Sequence, residues 1–191
     1  MSILMAKRFN RRAASAQSRS EQILESLPIR TGQRIADIGS GGGYFSFAFA
    51  RRVGPTGTVY AVDKNASLLH FVEEESIRNK LHNVETILLQ NGDLPLPEHG
   101  IDLIFLRNVL HHIEDPTSYL TALKRMLKPG GKIAIIDYKE KDGFNFHSLF
   151  GHFIAEQEIL QSMQQAGLER LASFSFLPAQ SFNLFQLSAV S

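Results

Sequence analysis

Cysteine and tryptophan are both absent from the 191 residues. Without cysteine there is no disulfide, no thiolate-bound zinc and no cysteine nucleophile, and the absence fits a reducing, cytoplasmic setting. No apolar run approaches the ~18 residues that a membrane span requires, and no internal repeat or low-complexity tract stands out. Neither sign of charge dominates. Charged residues make up 20% of the chain and the formal net charge is +1, which argues neither for a nucleic-acid binder nor for a strongly acidic partner. In one place acid alone is missing: residues 1–20 carry Lys7, Arg8, Arg11, Arg12 and Arg19, and the first acid is Glu21. Arginine- and serine-rich, acid-poor beginnings also describe organelle transit peptides. This one runs without a break into a predicted helix and reads as a mobile basic arm, residues 1–19, ahead of a single domain over 20–191. Apolar residues, by contrast, are plentiful. A hydrophobic fraction of 43%, with 14 Phe supplying much of the bulk, is enough for a sizeable core in one α/β domain.

The chain is organised around the run Arg34-Ile35-Ala36-Asp37-Ile38-Gly39-Ser40-Gly41-Gly42-Gly43-Tyr44-Phe45-Ser46. It reads as a short apolar strand with an acid near its end, then four glycines within five residues, then the start of an apolar helix. Glycine accepts positive φ, and its missing Cβ lets the main chain lie close against a ligand. The N-terminus of the following helix adds N–H groups without helical partners and a partial positive charge. A dinucleotide fingerprint needs Gly-x-Gly-x-x-Gly. Counted from Gly39 the last glycine position holds Tyr44, and counted from Gly41 it holds Ser46. The spacing that fits is Asp37-x-Gly39-x-Gly41-x-Gly43.

Taken in order, Ile23, Leu24 and Leu27 lie on one face of a predicted helix from Ser20, with Ser20 as its cap. The remaining elements alternate. Strands are expected at 33–38, 58–62, 84–89, 101–106 and 132–138. Helices are expected at 45–53, from an Asn65 cap to about 80, and from an Asp115 cap with Pro116 at its first position. The near-continuous apolar run Ile101 to Leu106 suits a strand covered on both faces. After an irregular, aromatic-rich stretch to Phe153 comes a helix stopped by Gly167, and then two strands, 168–174 and 182–190, with no helix between them. The pattern predicts an α/β fold: a mainly parallel seven-stranded sheet, helices on both faces and a C-terminal antiparallel hairpin. Ligands on such sheets lie beyond the carboxyl ends of the strands.

Several chemistry-bearing residues fall at those ends. Asp63 follows Gly39 by 24 residues and closes the second strand, where a carboxylate can take a ribose diol in fork fashion. Nicotinamide enzymes place an acid there too, so Asp63 alone does not separate the ligands. Gly92-Asp93 follows the third strand, with Leu94 beside it. The adjacent His111 and His112 would diverge by about 100° on a helix and could not share a metal as an i, i+4 pair does. With no His-Glu-x-x-His, no metal site is expected, and a substrate-facing His111 or His112 stands level with a capping or packing role. Residues 139–153 read equally as a pocket cover or as an ordinary connection.

The Asp37 to Gly43 run resembles the first motif of class I S-adenosylmethionine-dependent methyltransferases. Asp102 to Ile113 and Leu123 to Gly131 resemble that family's fourth motif and the helix and turn after it, particularly in the ubiquinone/menaquinone-biosynthesis-like branch that acts on small molecules. The likeness covers roughly residues 20–140, with every motif in the expected order. It implies S-adenosyl-L-methionine as cofactor, held by Asp37, Gly39, Ser40, Gly41, Gly43, Asp63, Lys64, Gly92, Asp93, Leu94 and Arg107. In such a family Asp93 accepts from the adenine amino group and Leu94 closes over the ring; Arg107 is placed to orient the methionine end. A small-molecule acceptor is the expected substrate, and the catalytic residues stay open. A hydride-transferring enzyme is disfavoured by the glycine spacing. Arg107-Asn108-Val109-Leu110 departs from the Asn-Pro-Pro-Tyr type used on nucleic-acid amines, although the basic arm keeps an RNA acceptor open. A protein acceptor and a non-catalytic module of the same fold remain as alternatives, and arsenic methylation is excluded by the lack of cysteine.

Overall fold

A computed structural model describes residues 2–90, 94–139 and 154–188. Seven strands form one sheet: β1 (Arg34–Ile38), β2 (Thr58–Asp63), β3 (Val84–Leu88), β4 (Ile101–Arg107), β5 (Leu127–Tyr138), β6 (Leu168–Phe174) and β7 (Gln180–Leu187). The order across it is β3-β2-β1-β4-β5-β7-β6. Strands β1 to β5 pair in parallel, and β7 is antiparallel to both β5 and β6. The expected α/β sheet with a closing hairpin is therefore the one observed. The sheet is apolar on both faces because both are covered. Ala36, Ile104, Leu106, Ile133 and Ile135 pack under α5 (Pro116–Met126) and α6 (Glu156–Gln165), joined by Leu120, Leu123, Ile159 and Met163. Ile35, Val59, Leu103, Phe105, Ala134 and Ile136 face the other way, onto α2 (Ser20–Ser26) and α3 (Tyr44–Val53), where Phe45 and Phe49 stack around Phe105. Burying side chains of this size yields about 1.5–3 kcal/mol each.

Local signals set most boundaries. Asn65 Oδ1 accepts from Ser67 N at 3.0 Å and caps α4 (Ala66–Arg78), and Asp115 Oδ1 accepts from Ser118 N at 3.0 Å ahead of Pro116. Three expectations change. Ser20 is the first helical residue of α2 and not its cap: Arg19, with φ 46°, takes that place, and Ser20 Oγ donates to Ala13 O at 2.6 Å. That carbonyl ends α1 (Ser2–Ala13), which the sequence reading leaves as an arm. Its Ala6 is fully buried against Leu68 and Phe71 of α4. Strand β5 begins five residues early, since Pro129-Gly130-Gly131 is absorbed where its register with β4 shifts.

Candidate functional site

Between β1 and α3 the chain reverses on glycines. Gly39, Gly41 and Gly43 have φ of 72°, 56° and 81°, a region that side chains other than glycine's rarely adopt. The turn is stiffened from within. Gly39 N and Ser40 N both donate to Val62 O, at 2.8 and 3.0 Å, and Gly43 N donates to Ser40 O at 2.9 Å. The turn's N–H groups at these positions are therefore spent on holding its shape, a detail glycine spacing does not reveal. Asp63, at the end of β2, locks onto the same turn: its Oδ2 accepts from Gly41 N and its Oδ1 from Asn65 N, both at 2.9 Å. Lys64 beside it is exposed. Asp37 is buried under the turn and accepts from Ser46 Oγ at 2.5 Å. Burial raises its carboxyl to about 7. The Ser46 hydrogen bond opposes this shift and the nearby Asp63 charge adds to it.

The N-terminal helix closes one side of this turn. Asn10 Nδ2 donates to Gly42 O at 2.7 Å, and the Phe9 ring lies where a Cβ on Gly41 would sit 3.3 Å away. On the opposite side, a Cβ on the exposed Gly39 would reach Val109 Cγ2 at 2.6 Å, so that gap exists only because the residue is glycine.

A second cluster stands at the ends of β4, β5 and β7. Arg107 is mostly buried, which lowers its guanidinium to about 10 and leaves it charged at neutral pH. It donates to Ser18 Oγ at 2.9 Å, Ser18 O at 3.1 Å and Gln180 Oε1 at 3.1 Å, and it lies 5.3 Å from the Phe45 ring centre. Those bonds tie it to the N-terminal segment and the hairpin. Asn108 turns the chain at φ 57°, with its N donating to Ile136 O at 2.8 Å and its Oδ1 accepting from Gln180 Nε2. Past it, a short 3-10 turn (Leu110–His112) brings the two histidine rings 4.0 Å apart, closer than the divergence expected on an α-helix.

His111 Nδ1 meets Asp137 Oδ1 at 2.6 Å. Asp137 is fully buried at the end of β5, and it also accepts from Leu110 N at 3.0 Å and Tyr138 N at 2.8 Å. Three donors fix this carboxylate, and through it the orientation of the imidazole. Sequence reasoning missed Asp137. The available signal was an acid closing the apolar run Ile133 to Ile136, the same pattern that marks Asp37. Tyr138 follows, and its hydroxyl accepts from Arg12 at 2.8 Å.

Of the residues singled out in the sequence, Asp37, Gly39, Ser40, Gly41, Gly43 and Asp63 come together at the turn. Leu94 is half-buried and packs against the core under α5. Gly92, Asp93 and the stretch 140–153 lie outside the described residues. Among the described residues no cluster of His, Asp and Glu could hold a metal ion, and no helix is long and apolar enough to cross a membrane.

A glycine turn locked to an acid at the end of the neighbouring strand, on a sheet of this order, defines an α/β protein built to hold a nucleoside-bearing cofactor. Comparison with known proteins narrows the class. A family model described as a methyltransferase domain matches residues 29–167, and the chain belongs to that family, the class I S-adenosylmethionine-dependent methyltransferases. It is 30% identical over 178 residues to the ubiquinone/menaquinone biosynthesis C-methyltransferase UbiE of Enterobacter sp., covering 77% of this chain and 70% of that protein. To the protein of the same name from Erwinia tasmaniensis it is 33% identical over 132 residues, covering 63% of this chain and about half, 52%, of that one. The crystal structure of an Aquifex aeolicus SAM-dependent methyltransferase superposes with a TM-score of 0.76 at 26% identity, covering 86% and 87% of the two chains. Geranyl diphosphate C-methyltransferase from Streptomyces coelicolor shares the fold, with a TM-score of 0.75 at 14% identity over 88% and 77%.

The turn fits that family's cofactor on three counts. Asp63 has taken only two N–H donors, and a carboxylate offers about four lone-pair positions. Ser40 Oγ is buried without a partner. Gly39 leaves open the space that any side chain there would fill.

Proposed function

We propose that the chain, with α1 packed onto residues 20–191, acts as one methyltransferase domain that transfers a methyl group from S-adenosylmethionine to a small organic acceptor carrying an ionisable O–H or acidic C–H. The observation that carries this reading is the bond between Asp63 and Gly41 N, which joins the β2 acid and the glycine turn into a single cradle. Asp63 receives the ribose hydroxyls on its remaining lone pairs, while Gly39 and Ser40 lie against the methionine portion. Asp93 and Leu94 are assigned to the adenine, and Lys64 stays at the rim. Arg107 acts indirectly, fastening Ser18 and Gln180 around the acceptor side.

When bound, the cofactor supplies a methyl group already activated on a sulfonium. What this chain must add is alignment, exclusion of water and, for an acceptor that loses a proton, a base. His111 serves as that base. Asp137 takes the Nδ1 hydrogen, so Nε2 carries the lone pair that receives the acceptor's proton. With the cofactor bound, the bond formed between acceptor and methyl carbon would replace the carbon–sulfur bond, whose electron pair would stay on sulfur, while His111 holds the acceptor's proton. The Enterobacter and Erwinia relatives are named as C-methyltransferases of ubiquinone/menaquinone biosynthesis, and methylation at carbon calls for an acceptor that loses a proton from that carbon.

Calorimetry with S-adenosylmethionine, S-adenosylhomocysteine and NADH tests the cradle. Both sulfur nucleosides should bind and NADH should not. Asp63→Ala should weaken the binding by about 1.5–3 kcal/mol, the scale of hydrogen bonds to a charged group. NADH binding without either sulfur nucleoside would overturn the reading. A methylation screen over phenols, other small metabolites and RNA then identifies the acceptor.

A further inference from the structure

Among the described residues five large hydrophobic side chains are exposed, and three of them, Ile3, Leu4 and Phe9, lie on the twelve-residue helix α1. The same helix carries Lys7, Arg8, Arg11 and Arg12 and no acid. Its two faces have different partners. Ala6 and Asn10 point inward, onto α4 and the glycine turn. Leu4, Lys7, Arg8 and Arg11 recur at i, i+3, i+4 and i+7, which places them in one outward stripe, and all four are exposed. Ile3 borders the stripe at 52% exposure, and Leu4, within it, is 77% exposed. Among the described residues none of Lys7, Arg8 and Arg11 enters an ion pair.

We propose that the outward face of α1 is a docking surface for an anionic lipid bilayer. Cations alone would suit any polyanion. Apolar side chains interleaved with them favour a bilayer, whose headgroup region takes the charges while its acyl boundary takes Ile3 and Leu4. The inward face meets Gly42 and Gly41, so docking brings the glycine turn within one helix of the membrane surface. The proposal is independent of which acceptor is methylated.

Co-sedimentation of the full chain with vesicles of phosphatidylcholine alone, or of phosphatidylcholine with phosphatidylglycerol, tests it. Binding is expected on the anionic vesicles and at least about tenfold less on the neutral ones. It should fall sharply when NaCl is raised from about 0.1 to about 0.5 M. The double variant Ile3→Ser/Leu4→Ser and the triple variant Lys7→Gln/Arg8→Gln/Arg11→Gln should each lose binding by about tenfold. Both should keep their affinity for S-adenosylhomocysteine, which shows that the fold is intact. Equal binding to the two vesicle types, or none to either, overturns the proposal. So does tight binding to RNA that the triple variant loses and the Ile3/Leu4 variant keeps, which would make the stripe a nucleic-acid face.

Discussion

The two walls of the site are built on different principles. The glycine-turn wall is mostly local: Asp37, the four glycines and Ser46 fall within ten consecutive residues, and main-chain bonds within the turn and to Val62 O set most of its shape, with the Asp63 carboxylate added. The opposite wall is assembled from afar. Arg107 bonds across 89 residues to Ser18 and across 73 to Gln180, Arg12 bonds across 126 to Tyr138, and a buried carboxylate links β5 to the turn after β4. A wall made of backbone can be damaged by adding atoms, whereas one made of side chains is damaged by removing them.

The largest effect should come from the side-chain wall. Asp137→Ala removes the acceptor of Leu110 N and Tyr138 N in a buried place, and with it the carboxylate that His111 Nδ1 meets. A loss of about 3–5 kcal/mol is expected in urea unfolding. Stability within about 1 kcal/mol of the parent would mean that these donors find other acceptors and that the wall is looser than its geometry. The backbone wall should respond to addition. Gly43→Ala places a Cβ 2.8 Å from Phe47 and 2.9 Å from Val72 at φ 81°, and should cost about 2–3 kcal/mol. Were it neutral, the turn would be free to change its φ, and the contrast between the walls would fail.

A smaller effect reads the acid under the glycine turn by pH. Asp37 keeps its proton up to about 7 in the fold, against an ordinary value of 3.8. The folded state therefore binds a proton that the unfolded chain has released, and stability falls as pH rises through that window. Between about pH 5.5 and about pH 8 this group should remove about 2 kcal/mol, and Asp37→Asn should abolish that portion of the pH dependence. A parallel slope in parent and variant, measured by thermal unfolding at several pH values, would place the titration elsewhere.

The same contrast explains what could be read before the structure. The alternation of strands and helices, both-face burial of 101–106, the Asn65 and Asp115 caps and the glycine turn with Asp63 were legible because each rests on short-range periodicity or on residues with special backbone freedom. Asp137 was passed over although it closes the apolar run Ile133 to Ile136. Gln180 and Ser18 were not legible. Nothing near them in the chain says that β7 will insert beside β5, or that residues 16–18 will turn back toward Arg107. The reading of residues 1–19 as an arm missed α1 for a related reason. Its buried stripe is short, Ala6 with parts of Met5 and Asn10, and it becomes a helix face only against α4.

One topological detail bears on how the chain is made. β7 follows β6 in sequence but lies between β5 and β6 in the sheet. As the polypeptide emerges from a ribosome, β6 therefore has no neighbour to join until residues 180–187 exist. Until then the outer edge of β5, with Ile133 to Ile136, stays unpaired and able to capture another chain's strand. Arg107 and Asn108 meanwhile wait for Gln180. Strand β7 thus covers the edge of β5 and completes the side-chain wall in one step, so a nascent chain halted at residue 179 would be both adhesive and inactive.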